Sequence, residues 1–233
     1  MGLIERLDWD TDFFGYEIGK CQIHDREEFQ AAPFEKEAMA YRLVYVLSEQ
    51  ALDHPSLRLV DRKVVFKRDI SQIPPSQAAD KPISAFDPER HEEAQLISLA
   101  LQSGIYSRFY VDKNFKNREY EKLYRAWITN CVHRQMAFEV LVAPQGNRLL
   151  GFITLSHFSP DTADIGLLAV HPEARGQGLG QALIQQSIYK AQQADYQQLQ
   201  VVTQLDNVPA CRLYQKAGFH LDKLTHIYHH WNL

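Results

Sequence analysis

The chain has 233 residues, 45% of them hydrophobic and 23% charged, with a formal charge of -4. That length carries one large buried core or two small ones, and the acidic balance argues against a general attraction to nucleic acid or anionic membrane. Cys21, Cys131 and Cys211 lie far apart with no CxxC pair, no apolar run nears the ~20 residues that span a bilayer, and MGLIERLDWD holds no apolar signal core, so a cytoplasmic protein without disulfides is expected.

Taken in order, Glu27–Tyr41 has a helical pattern, Leu43–Leu47 is a short apolar run, and Leu57–Phe66 contains the alternating LRLVDRKVVF of a strand. Arg62, Lys63, Lys67 and Arg68 read as the solvent face and end of that strand. Ser71–Pro82, SQIPPSQAADKP, is polar and aperiodic, which predicts a linker and divides the chain into 1–75 and 83–233. The first part is too small for a comfortable core of its own.

Beyond the linker, Pro88–Ser103 and Tyr120–Val132 carry apolar residues at helical spacing. Phe138–Ala143 and Leu149–Leu155 predict two strands around a turn at Pro144–Asn147. A strand over Thr162–Val170, a helix from Gly178 to Ala194, and a β-branched strand over Leu199–Thr203 follow. Asn207–Ala217 predicts a helix with an Asn cap, an early Pro and Gly218 past its end. Phe219–Leu221 and Thr225–Trp231 close the chain as strands. The order is that of an α/β (α+β) protein with a mixed sheet and flanking helices.

The chemistry concentrates in Asp164–Gly180, DIGLLAVHPEARGQGLG. A strand runs into a loop with glycines at 176, 178 and 180, then into a helix. Backbone N–H groups can converge there on an anion, and the helix dipole favours negative charge. Pyrophosphate is the natural occupant. The loop is neither the GxxxxGK[ST] of a nucleoside triphosphatase nor the GxGxxG of a dinucleotide fold.

This segment resembles the signature of the GNAT superfamily of N-acetyltransferases, in which Arg or Gln is followed by x-x-Gly-x-Gly or Ala. Here those positions are Arg175, Gly178 and Gly180, and the resemblance covers about Ile83–Leu233. It implies a complete GNAT fold over 83–233 and acetyl-CoA as co-substrate. It further implies that Leu168, Ala169 and Val170 pair with the pantetheine arm, and that the amides of Arg175, Gly176, Gln177, Gly178, Leu179 and Gly180 hold the pyrophosphate. Asn207 is implied to contact the cofactor chain and Tyr214 to face the sulfur. Those two lie seven residues apart, so both can project from one side of a helix.

A phenol of ordinary pKa near ~10 keeps its proton at pH 7 and can protonate a departing thiolate, so Tyr214 is the expected general acid in direct attack of an amine on the thioester. A backbone N–H near Val170 is expected to meet the oxyanion. His157, Asp164 and His171 lie in the right region for a base, although a solvated surface group is the reading that fits each of them better.

Gly104–Tyr120, GIYSRFYVDKNFKNREY, interleaves aromatic residues with cations, a lining that suits a nucleotide-sugar as well as an ordinary helix connection with solvated cations. Ser107–Phe109, Tyr124–Asn130 and Leu7–Lys20 are similar to the bacterial dTDP-fucosamine acetyltransferases. That resemblance implies acetylation of the 4-amino group of a dTDP-amino-dideoxysugar, with Arg108, Phe109 and Tyr106 lining the acceptor site. It also implies an incomplete GNAT-like unit over 1–75, without a glycine loop and so without a cofactor. The alternatives are another amine acceptor (a protein N-terminus, a polyamine, a drug) or a non-catalytic acetyl-CoA-binding module. His226, His229 and His230 share no matched Cys or carboxylate, so no metal site is expected. The aromatic strand Thr225–Trp231 is free in principle to pair across a homodimer.

Overall fold

The computed structural model describes residues 4–24, 29–74 and 81–233. In chain order its elements are β1 (Ile4–Arg6), α1 (Asp8–Phe14), β2 (Ile18–Ile23), α2 (Ala31–Ala38), β3 (Leu43–Ser48), β4 (Arg58–Asp69), β5 (Ser84–Ala85), α3 (Glu93–Ser103), α4 (Arg108–Val111) and α5 (Glu119–Val132). Then come β6 (Glu139–Gln145), β7 (Arg148–His157), β8 (Thr162–Val170), a 3-10 turn at Pro172–Ala174, α6 (Leu179–Gln193), β9 (Gln198–Gln204), α7 (Val208–Lys216) and β10 (His220–Trp231). Two compact units emerge, one of Met1–Val64, Gln204–Asp206 and Lys223–Leu233, the other of Val65–Thr203 and Asn207–Asp222. Because Gln204–Asp206 and the end of the last strand belong to the first unit, both units are discontinuous along the chain.

The first unit is a small sheet in the order β1-β2-β3-β10-β4. Its core gathers Cys21, Phe34, Val44, Val46 and Tyr228. β2 runs parallel to β3, and β10 runs antiparallel to it from His226↔Ser48 to Trp231↔Leu43. Thr225–Trp231 therefore has a neighbour on each side, β3 and β4, and is not the open edge expected for pairing across a dimer. The helix expected over Glu27–Tyr41 is confined to Ala31–Ala38, and 25–28 lie outside the described residues. The opening LDWDTDFFGYEIGK, assigned no element from sequence, forms α1 and β2, with Gly15 in the left-handed region (φ 80) ending the helix.

The second unit carries a sheet in the order β4-β9-β8-β7-β6-β5. Leu96, Leu99, Tyr124 and Ile128 from α3 and α5 pack with Val142, Phe152, Leu167 and Ala169 from the strands. Gly151, adjacent to Phe152 and so facing the opposite side, abuts Leu179 and Leu183 of α6. The helices thus cover both faces of this sheet.

Several boundaries differ from the sequence expectation. The helix expected from Pro88 begins at Glu93, because Asp87 organises a turn: its carbonyl accepts from Arg90 and His91, and its carboxylate accepts from the Glu89 N–H at 3.0 Å. The connection Gly104–Tyr120 contains the short α4. The two closing strands are one, β10. Residues 71–74 of the expected linker are held down, since Gln192 Nε2 donates to the carbonyls of Ile70 and Ile73 at 2.7 Å each; 75–80 lie outside the described residues. Arg68, expected on a solvent face, instead donates to the Ala217 carbonyl at the end of α7.

Candidate functional site

The site begins where β8 leaves its parallel partner. β8 pairs with β9 only from Thr162↔Gln198 to Ile165↔Val201, whereas it stays paired with β7 up to Gly151↔Val170. Along Gly166–Val170 the β9 side of the strand therefore carries no ladder. Backbone polar groups in such a position call for a partner, and an extended chain lying alongside them supplies one.

A β-bulge marks the departure. The β7–β8 register shifts between Ile153 and Leu155, so Gly166 and Leu167 together oppose Thr154. The orphaned Leu167 N–H is taken by the Thr154 hydroxyl at 2.9 Å, with both residues buried. A side chain at Gly166 would meet Thr154 Oγ1 at 3.1 Å and Trp127 Nε1 at 3.6 Å. The bulge sends Leu167 and Ala169 into the α3–α5 core and lets the strand diverge.

Past Val170 the chain closes a tight loop. His171 N–H bonds the Leu150 carbonyl, its ring accepts from Glu173 N–H at 3.4 Å, and Arg175 N–H returns to the Pro172 carbonyl. Arg175 Nε also donates to the Val170 carbonyl at 3.0 Å, latching the loop to the strand end. Gly176 (φ 73) and Gly178 (φ 80) both sit in the left-handed region, where side chains are strained. Gly178 caps α6, and the first helical bond runs from Ala182 N–H to its carbonyl. The N–H groups of Leu179, Gly180 and Gln181 precede that bond and have no intrahelical acceptor. A Cβ at Gly176 would meet nothing within 4 Å, so this backbone faces open space. The arrangement is an amide cradle at a helix N-terminus, able to hold a phosphate. The Arg175 N–H alone, of those expected to join it, is already bonded within the loop.

Gly180 joins this loop to α7. A Cβ there would lie 3.0 Å from Leu213 Cδ2 and 3.8 Å from Val170 Cγ2, so the strand end, the start of α6 and the middle of α7 converge. Asn207 caps α7 by accepting from Ala210 N–H at 3.3 Å, which occupies Oδ1 and leaves its NH2 as the group for a ligand. Next to Leu213, Tyr214 is buried against Phe66 and Phe219, at ring-centroid distances of 6.1 and 5.9 Å. Burial pushes its phenol well above the ordinary range, and the charges of Asp164 and Cys211 push the same way.

The three groups considered as bases are each engaged. Asp164 accepts from Gln200 Nε2 at 3.0 Å, His157 bonds the Tyr196 hydroxyl, and His171 serves the loop. Of the residues expected around the acceptor, Arg108 sits over the ring of Phe109 at 4.5 Å, and Phe109 packs against Phe115 and the α3–α5 core. Tyr106, just before α4, is half-buried. Sequence reasoning passed over Thr154, Gly166 and Leu213; the lone Gly within DIGLLAV is the one local signal of the bulge.

Against known proteins, the acetyltransferase (GNAT) family model matches residues 96–219. The spore coat polysaccharide biosynthesis protein SpsD of Bacillus subtilis is 27% identical over 145 residues, which are 62% of this chain and 49% of that protein. A mycothiol acetyltransferase of Pseudarthrobacter chlorophenolicus is 35% identical over 85 residues, 34% of this chain and 26% of its own length. The chain thus spans half or less of these two relatives. Among solved structures, a GCN5-related N-acetyltransferase from Sphaerobacter thermophilus shares the fold at a TM-score of 0.55 and 16% identity, over 84% of this chain and 63% of that one.

Proposed function

The chain belongs to the acetyltransferase (GNAT) family, whose members take their acetyl group from acetyl-CoA, and on that premise we propose that it is an acetyl-CoA-dependent N-acetyltransferase whose acceptor is the 4-amino group of a dTDP-amino-dideoxysugar. The observation that carries the donor half is the unladdered edge of β8 running into the Gly176–Gly180 cradle. Leu168, Ala169 and Val170 pair with the pantetheine arm, the first-turn amides of α6 with Gly176–Gly178 hold the pyrophosphate, and the Asn207 amide meets the cofactor chain. Acetyl-CoA supplies the thioester carbonyl when bound.

The chain's own residues then have three tasks. A backbone N–H near Val170 steadies the charge that develops on the carbonyl oxygen, a strong effect in a site that excludes water. Tyr214 keeps a proton available for the sulfur as coenzyme A departs. Arg108, with Phe109 and Tyr106, holds the nucleotide-sugar, through guanidinium-to-phosphate bonding and ring stacking. The amine must arrive neutral, and its proton leaves through water. In this reading 83–233 is the catalytic GNAT unit and 1–75 an incomplete unit that binds no cofactor.

The acceptor half is supported by the similarity to SpsD, a spore coat polysaccharide biosynthesis protein. The mycothiol acetyltransferases favour a second reading, another amine acceptor on the same donor site. The deciding assay is thiol release from acetyl-CoA with dTDP-4-amino-4,6-dideoxygalactose beside a panel of other amines. Release confined to the nucleotide-sugar supports the proposal. Release with another amine alone overturns the acceptor, and binding of acetyl-CoA without any turnover makes the chain a binding module. Arg108→Ala should raise the KM for the sugar by about tenfold, the loss of one charge-assisted bond of ~1.4 kcal/mol. An unchanged KM removes Arg108 from the acceptor site.

A further inference from the structure

Lys81 lies outside the signature segment, yet the sheet delivers it to the glycine loop. Ser84 pairs with Val142, Val142 with Phe152, and Phe152 with Ala169, so β5 stands in one row with the end of β8. Each of the three steps is antiparallel, so β5 runs opposite to β8. Tracing β5 backwards from Ser84 to Lys81 therefore moves in the direction in which β8 passes Val170 and enters the loop. Pro82 restricts the backbone between the two.

The side chain completes the approach. A Cβ placed on Gly178 would have Lys81 Cε at 3.9 Å, and among the described residues no other beyond its chain neighbours comes within 4 Å of it. The flexible end of Lys81 thus lies beside the residue that caps α6. Other cations nearby are committed: Arg148 pairs with Glu173 at 2.8 Å, Lys190 with Glu139 at 3.8 Å, and Arg175 Nε bonds the Val170 carbonyl. Lys81 enters no ion pair among the described residues. An uncommitted ammonium on an acidic chain, placed at a helix N-terminus already rich in N–H donors, adds a full charge to an anion site.

We propose that Lys81 is a phosphate-binding residue for the donor, adding its ammonium to the loop amides that hold the pyrophosphate of acetyl-CoA. This rests on the reading of Gly176–Gly180 as the pyrophosphate cradle. Lys81 also borders an open hollow of about 410 Å³ along α6 with Tyr189 and Lys190, so the 3′-phosphate of coenzyme A is the other source of the same chemistry. The position at Gly178 favours the pyrophosphate.

The test is calorimetric binding of CoA and of dephospho-CoA, which lacks the 3′-phosphate, to the wild type, Lys81→Gln, Lys81→Arg and Gly178→Val. Lys81→Gln should weaken both ligands equally, by about five- to tenfold. It should also flatten the salt dependence of binding, while Lys81→Arg stays near wild type. A loss confined to CoA moves Lys81 to the 3′-phosphate and overturns the pyrophosphate assignment. If Gly178→Val weakens CoA and Lys81→Gln does not, the cradle stands and Lys81 falls. If the wild type binds neither ligand, the cradle reading fails and takes the proposal with it.

Discussion

Removing one oxygen tests the catalytic assignment most directly. Tyr214→Phe keeps the ring between Phe66 and Phe219, at 6.1 and 5.9 Å, so the packing of α7 survives. Stability should move by no more than about 1 kcal/mol, the net worth of a typical hydrogen bond, or roughly 2–4 °C in Tm for a chain of this size. Catalysis should fall much further. A positioned general acid contributes ~10²–10⁴-fold, so kcat should drop at least about 100-fold, equivalent to ~2.7 kcal/mol of barrier. The pH dependence has a definite sign. Burial raises the Tyr214 pKa, so the phenol keeps its proton throughout the neutral and mildly alkaline range, and no falling limb of kcat from this group should appear below about pH 10. The raised folded-state pKa also means that its contribution to stability is complete below the unfolded value near ~10 and is lost as pH rises through the folded one. The Tm of the wild type relative to Tyr214→Phe should therefore fall at strongly alkaline pH. The assay is steady-state thiol release at saturating acceptor from pH 6.5 to 10, beside thermal melts. A variant with kcat within about twofold of wild type and an unchanged profile would refute the role of Tyr214 as proton donor.

Other perturbations address the scaffold of the site. Gly178→Ala forces a side chain into φ 80, which costs about 1–2 kcal/mol and should lower the Tm of the free protein by roughly 2–8 °C; an unchanged melt would mean the loop relaxes out of that conformation. Thr154→Val removes the oxygen that accepts the buried Leu167 N–H, costing about 1–3 kcal/mol, whereas Thr154→Ser should restore most of the melting temperature; equal losses in both would point to methyl packing instead. Burial pushes the Cys21 and Cys131 thiols up to about 11, leaving roughly one thiolate in a thousand at pH 8. Native protein should label at these two positions far more slowly than unfolded protein in a mass-spectrometric alkylation time course, and equal rates would refute that protection.

The parts of the site that depend on local chemistry were legible from the residues. β8 fell over Thr162–Val170 as expected, because the apolar run IGLLAV ended at His171-Pro172. α7 was marked by Asn207, Pro209 and Gly218, and its cap is the Asn207 side chain. The parts that depend on distant partners were not. Nothing in DIGLLAV states that β9 stops pairing at Ile165, nor that the bulge beside that point rests on Thr154 of the neighbouring strand β7. β10 read as two strands because Asp222 and Lys223 interrupt its apolar pattern; in the structure both charges are paired, with Lys67 and Glu49, so the strand continues through them. Lys81 read as linker because its placement follows from the β5 register and not from its neighbours in sequence.

The features that bring the site together share a physical character. Regular structure satisfies its own backbone, so a strand or helix interior offers a ligand little to bind. This site is assembled where regularity is suspended: a bulge at Gly166–Leu167, a strand edge left without a ladder beyond Ile165, two glycines at positive φ, and the first turn of α6. Each suspension would cost stability alone, and nearby groups meet some of the backbone polar groups it frees. Thr154 takes the bulge N–H, Arg175 latches the strand end, and Asn207 caps the helix bearing Tyr214. What stays unmet is a line of backbone groups running from the unladdered edge of β8 to the N-terminus of α6. A ligand with an amide-bearing arm at one end and phosphates at the other matches that line in order. Under the proposed mechanism Tyr214 would meet the arm's end, and burial, which raises its pKa, keeps the phenol protonated at neutral pH.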